Sequence, residues 1–204
     1  MRGRSSIYAL QKPDGSERTV SAKDCSRFAV MDPAGTEPDQ NNRPCYTVIQ
    51  VWDVTPHHEM ILVYQYRAQV QAPDAAAAAE RIAREFDVAF IAIEKDGIGL
   101  GIVQTVRRNG IAVKPIKARG SKEARSETAE IRMAAGLIYF PRQAPFLWEL
   151  EQELLHFPQG EYCDQVDALA HAAMQVQRLG GPPRVEPEPQ SPADLLDPDN
   201  EEWT

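Results

Sequence analysis

Short apolar runs alternate with amphipathic stretches along this chain, and polar punctuation separates them, a spacing that predicts an α/β fold. Residues 7–20 read as a hairpin: Ile7, Tyr8, Ala9 and Leu10 lead into a turn at Pro13-Asp14-Gly15, and Arg18, Thr19 and Val20 lead out of it. A first core strand follows over 27–31, then a polar loop rich in Pro, Asn and Asp over 33–44. Residues 46–54 and 59–67 make two more strands, and the short link Thr55-Pro56-His57-His58 makes them antiparallel neighbours. Asp74 is placed to cap a helix that runs through the alanines at 75–79 to Phe86. Residues 88–93 are apolar throughout, as suits a strand covered on both faces. A helix over 98–108 stops at Asn109-Gly110, a fifth strand spans 111–116, and a helix spans 121–135. Ser121 heads that helix without a full capping box, because Ala124 holds the fourth position. Residues 137–140 form a short strand or an extended link, and helices over 146–156 and 163–179 close the pattern, the last stopped by Gly180-Gly181. Phe146, Trp148, Leu150, Leu154 and Leu155 read as core.

This order predicts a mixed five-stranded sheet, antiparallel on one side, parallel on the other, and flanked by helices. No internal repeat interrupts it. A helical crossover from the third strand lets the fourth pair beside the first. Asp32, which ends Phe28-Ala29-Val30-Met31, and Glu94, which ends the 88–93 run, then become neighbours at one sheet edge.

A carboxylate at the end of a buried strand is costly unless it faces a cleft and holds something positive. Asp164 and Asp167 open the last, Ala-rich helix, and residues three apart share a helix face. Gathered at one edge, such carboxylates make an oxygen-only site for a hard divalent cation, the arrangement that metal-assisted phosphodiester hydrolysis needs. Each residue also has a plainer reading. Asp32 precedes Pro33 and starts a turn, Glu94 pairs with Lys95, Asp164 caps its helix, and Asp167 is an exposed acid. Taken one at a time, the residues leave both readings open.

Charge changes the picture in two places. The net charge is -8, but residues 181–204 carry seven acids against Arg184 alone, a net of -6, together with six prolines. That segment reads as a disordered acidic tail on a single domain spanning 1–180. Conversely, Arg107, Arg108, Lys114, Lys117, Arg119, Lys122 and Arg125 crowd into 19 residues opposed only by Glu123. Phosphate neutralisation by such a cluster gives sequence-independent, salt-sensitive binding, and Arg107, Arg108, Lys122 and Arg125 are the candidate contacts to a nucleic-acid backbone. No apolar run reaches membrane-span length, and the basic N-terminus lacks the apolar region of a secretory signal. Cys25, Cys45 and Cys163 are an odd, scattered set that suggests a reducing compartment rather than a disulfide framework. His57, His58, His156 and His171 show no paired zinc spacing.

Three segments within residues 7–180 resemble the nuclease domain of phage terminase large subunits, an RNase H-like fold. Residues 27–36, with Asp32-Pro33-Ala34, look like that family's first strand and its Asp-x-Ala signature. Ile91-Ala92-Ile93-Glu94, followed by Gly97-Ile98-Gly99-Leu100-Gly101, looks like its second acidic motif. Phe157-Pro158-Gln159-Gly160 with Asp164-Gln165-Val166-Asp167-Ala168-Leu169 looks like its final motif, the most specific of the three. The Lys122 to Arg125 spacing is also similar to a Lys-x-x-Arg segment of the family. Cys45 and Cys163 stand where the family often has Asp, which puts metal affinity or preference in question, although Asp164 is retained.

The resemblance implies a two-metal-ion endodeoxyribonuclease using Mg²⁺ or Mn²⁺, which cuts concatemeric viral DNA during genome packaging. It implies Asp32 as the bridging ligand, Glu94 and Asp164 as completing ligands, and Asp167 as an additional or outer one. The implied partners are double-stranded DNA and a packaging ATPase, small terminase or portal on other chains, in the host cytoplasm and with no membrane. The GxxxxGK[ST] loop of a packaging ATPase is absent, so the chain reads as a free-standing nuclease, part of a split terminase, or an excised domain. Two other readings fit the same carboxylates. One is a junction-resolving nuclease of the same fold, and the other is an inactive module that docks DNA or a packaging partner.

Overall fold

Two strands, β1 (Ile7–Gln11) and β2 (Glu17–Ser21), pair antiparallel into the expected hairpin, turning at Gly15 with φ of +84°. A computed structural model describes residues 7–12, 14–34, 45–117 and 121–180, without side-chain detail at positions 122, 123, 179 and 180. Most of the 33–44 loop, Arg119 and the acidic 181–204 segment lie outside the described residues. After the hairpin come β3 (Ser26–Asp32), β4 (Thr47–Val54), β5 (Met60–Ala68), α1 (Ala72–Glu85), β6 (Ile91–Glu94), α2 (Gly99–Arg108) and β7 (Val113–Ile116). Then follow α3 (Lys122–Ala134), β8 (Ile138–Tyr139), α4 (Leu147–His156) and α5 (Asp164–Gly180).

The main sheet has the order β7-β6-β3-β4-β5-β8. Its centre, β3-β4-β5, is the antiparallel meander, while β6 runs parallel to β3 and β7 parallel to β6. The crossover through α1 therefore places β6 beside β3, as the chain pattern predicts. The sheet has six strands rather than five, because Ile138–Tyr139 adds to β5 opposite Met60 and Ile61. Two residues are too short a run for period-2 alternation to register.

Alternation along the central strands divides the core into two layers. Ala29, Met31, Ile49, Val51, Ile91 and Ile93 face the small side chains of α1 and Ile102, Val103 and Val106 of α2. Phe28, Val30, Val48, Trp52 and Ala92 face the other way, toward Ala168, Leu169, Ala172, Ala173 and Val176 of α5 and Leu150 of α4. Every residue of β4 is buried, as a central strand covered on both faces must be.

Two local expectations are corrected. Helix α1 begins at Ala72 rather than being capped by Asp74. Pro73 is tolerated within the first turn, where its missing N–H costs nothing, and Asp74 instead places negative charge at the positive helix end. In α4 only Leu150 is fully buried, with Phe146 and Leu154 packed beside it, whereas Trp148 is 69% and Leu155 77% exposed. Positions 148 and 155 are one heptad apart and share the helix face turned from the sheet.

At the end of the sheet where β3 begins, Arg27 and Asp53 are cross-strand partners. Arg27 donates from Nε to Asp53 Oδ1 at 2.7 Å and from its terminal nitrogen to Oδ2 at 2.6 Å, and the Tyr8 hydroxyl donates to the same Oδ2 at 2.6 Å. Burial, then the Asp53 carboxylate, pushes the Tyr8 hydroxyl pKa well up. Arg18 pairs with Glu59, whose carboxylate also accepts from Thr55. These bonds fasten the hairpin to the sheet at the end opposite Asp32. Among the described residues no helix is long and apolar enough to cross a membrane.

Candidate functional site

Strands β3 and β6 run out together. Met31 pairs with Ile93, so Asp32 and Glu94 are the next residues along two adjacent parallel strands. Asp32 follows the parity of Phe28 and Val30, and Glu94 follows Ala92, so both point to the face on which α5 packs. Each is half-buried. The predicted neighbours are thus brought to one edge and one face.

A third carboxylate arrives with α5. The Tyr46 N–H donates to Asp164 Oδ2 at 3.2 Å, and Tyr46 immediately precedes β4, whose Val48 pairs with Asp32. The first turn of α5 receives an external cap. Glu153 of α4 accepts the Gln165 N–H at 2.9 Å and the Gln165 amide at 2.6 Å. Burial raises the Glu153 pKa, working against the two hydrogen bonds from Gln165. Behind it, Gln165 is bonded to Gln65, Gln65 accepts from Gln50 at 2.8 Å, and Gln50 accepts from Trp52 at 3.2 Å. The Arg67 guanidinium lies 3.6 Å from the Tyr46 ring centroid and 3.4 Å from Glu153, so it braces the residue that holds Asp164. A cavity of about 530 Å³, lined in part by Arg67, Trp148, His156 and Tyr162, opens alongside. Gln50, Gln65, Glu153 and Arg67 are missed by sequence reasoning. The available signal is an amide interrupting each of two apolar strands.

Asp167 is not an exposed acid. It is 5% exposed and accepts from the Arg125 guanidinium at 2.9 Å, which ties α5 to α3. One turn further along α5, His171 Nε2 lies 2.6 Å from Glu94 Oε2. Sequence reasoning misses His171 as well, since along the chain it is only an isolated histidine.

Helix α2 starts hard against the same edge. A Cβ on Gly99 would fall 1.8 Å from the Glu94 carbonyl oxygen and 3.2 Å from Pro33 Cγ. Gly99→Ala is therefore expected to push Glu94 out of line with Asp32 and to cost about 1–3 kcal/mol of stability through overpacking. Urea denaturation measures the cost. A variant of parental stability and activity would mean that α2 shifts freely away from β6.

The basic candidates separate in space. Arg107 and Arg108 close α2 at the end away from Gly99, and Arg107 donates to the carbonyl of Val113, the first residue of β7. Glu94 pairs with Ile116 at the other end of β7, so these arginines stand a helix length of roughly 15 Å from the acidic edge. Arg125 reaches the edge through Asp167, and Lys122 opens α3 one turn before it.

Chemically, Asp32, Glu94 and Asp164 offer only hard oxygen donors, which suits a divalent cation of the Mg²⁺ or Mn²⁺ type. Glu94 is turned to His171, Asp164 to the Tyr46 amide and Asp167 to Arg125. As placed, no three His, Cys, Asp or Glu side chains among the described residues are grouped closely enough to hold an ion.

The family model for the terminase RNaseH-like domain matches residues 29–175. Among solved structures, the large terminase nuclease from thermophilic phage G20c with bound magnesium is 18% identical. It covers 86% of this chain and 89% of its own, with a TM-score of 0.60. The same nuclease with bound zinc is 20% identical over 75% of this chain and 82% of its own, also with a TM-score of 0.60. The nuclease domain of the large terminase subunit gp2 of bacterial virus Sf6 is 13% identical over 72% and 87%, with a TM-score of 0.55. At these identities the likeness is one of fold. No curated protein matches the chain in sequence.

Proposed function

Since the chain belongs to the terminase RNaseH-like domain family, whose model spans residues 29–175, we propose that it is a metal-dependent DNA endonuclease of the terminase large-subunit type, cutting concatemeric viral DNA during packaging. The observation that carries this reading is the placement of Asp32 and Glu94 at adjacent strand ends, on the face to which α5 delivers Asp164. Asp32, Glu94 and Asp164 would hold two Mg²⁺ or Mn²⁺ ions, with Asp167 behind them in its pair with Arg125. When bound, the ions activate a water and offset charge on the leaving 3′ oxygen. The chain's own part is to fix the donors. Two come from hydrogen-bonded strands, and the third comes from a helix whose first turn is anchored by Glu153 and the buried glutamines.

The purified chain is expected to nick supercoiled plasmid with Mg²⁺ or Mn²⁺ and to stop when EDTA is added. DNA binding without nicking in either ion would leave a docking module, and preference for four-way junctions over linear duplex would favour a junction resolvase. A packaging ATPase, small terminase or portal on other chains would present the substrate.

Arg107, Arg108, Lys122 and Arg125 are proposed to touch the DNA backbone along a track longer than the acidic edge itself. The test uses Arg108 and Lys122, because replacing Arg107 or Arg125 would also break its bond to Val113 or Asp167. Replacing both by Ala is expected to weaken binding about equally for all sequences. It should also flatten the salt dependence by about one unit of slope for each phosphate no longer neutralised. An unchanged slope in filter-binding titrations would put the DNA path elsewhere.

A further inference from the structure

We propose that His171 is a positioning residue of the acidic edge, binding one Glu94 oxygen and leaving the other to the cation site. The role rests on the nuclease function proposed for the chain. His171 is 1% exposed on the buried face of α5, one turn beyond Asp167, and its Nε2 lies 2.6 Å from Glu94 Oε2. An ionised carboxylate only accepts, so Nε2 carries the hydrogen and donates. The ring's other nitrogen, Nδ1, is buried with no hydrogen-bond partner among the described residues.

That orphan nitrogen is the informative detail. The surrounding stripe of α5 is built from Ala168, Ala172 and Ala173, all fully buried. An apolar side chain at 171 would satisfy such a core, whereas an imidazole with one unpaired nitrogen carries a desolvation cost. The bond that offsets this cost is the one to Glu94, whose side chain remains 18% exposed at the edge. The two carboxylates, Asp167 on α5 and Glu94 on β6, are held differently. Asp167 receives a full countercharge from Arg125, while Glu94 receives a ring N–H. A guanidinium on Glu94 would compete with a cation, but a hydrogen-bond donor orients the carboxylate and leaves its charge available. Ligating carboxylates are commonly held this way, and losing the holding partner typically weakens metal binding about 10–100-fold.

The test compares His171→Leu, which removes the donor, with His171→Gln, which restores an N–H donor. Each is measured by Mn²⁺ titration calorimetry and by thermal unfolding without metal, with Asp32→Asn alongside. His171→Leu is expected to melt no lower than the parent and to bind Mn²⁺ about 10–100-fold more weakly, with His171→Gln recovering most of the affinity. Parental affinity in His171→Leu overturns the proposal. So does equal weakening in both variants accompanied by a matching fall in melting temperature, which marks a purely structural residue. A parent that binds Mn²⁺ no better than Asp32→Asn removes the metal reading itself, and the role of His171 with it.

Discussion

Asp32→Asn is expected to abolish cleavage while leaving the fold intact. Asparagine keeps the shape of the side chain at the end of β3 but removes its charge, and with it the proposed bridging ligand between ions. Losing several kcal/mol of charge stabilisation corresponds to a fall in rate of about a thousandfold or more, at roughly 1.4 kcal/mol per factor of ten. Stability should hold or rise slightly, because Asp32 and Glu94 are like charges at adjacent strand ends. Plasmid nicking and circular dichroism on the same preparation read the two effects. An Asp32→Asn variant that cuts at the parental rate would remove Asp32 from the chemistry.

Asp53→Ala is expected to be the most destabilising single replacement outside the acidic edge. Asp53 is 0% and Arg27 8% exposed, so the substitution strands a guanidinium in the interior and deprives the Tyr8 hydroxyl of its acceptor. Breaking a buried pair from one side costs about 3–5 kcal/mol. For a chain of this size that is a fall in melting temperature on the order of 10 °C. The double replacement Arg27→Met with Asp53→Leu should recover most of that stability, because it removes both charges together. Urea denaturation of the parent, Arg27→Met, Asp53→Leu and the double variant closes the cycle, with Asp53→Ala measured alongside. A cost below about 1 kcal/mol in Asp53→Ala would mean that water reaches the guanidinium.

Much of the fold is legible because long apolar runs carry periodicity. The uninterrupted run at 88–93 points to a strand covered on both faces, and β6 lies between β3 and β7 with helices on both sides. From that placement the juxtaposition of Asp32 and Glu94 at adjacent strand ends follows. Features that depend on partners distant in sequence are not legible. Gln65 and Gln165 bond across 100 residues, and His171 meets Glu94 across 77, so neither bond leaves a local pattern. The basic cluster shows the same limit from the other side. Arg107 and Arg125 are close in sequence, yet α2 carries the first away from the acidic edge while α3 returns the second to it. Trp148 and Leu155 mislead for a simpler reason, since apolarity alone does not say which side of a helix meets the sheet.

The three carboxylates of the edge come from positions 32, 94 and 164, so the site joins segments far apart in the chain. Such long-range closure costs loop entropy before any native pairing rewards it, and it slows folding. During synthesis, β3 and β6 leave the ribosome well before Asp164, and until α5 docks their shared face is uncovered apolar surface with two acids at its rim. The proposed donor set is therefore incomplete until the last helix seats. A nascent chain stalled before residue 164 carries most of the sheet but cannot assemble the proposed cation site.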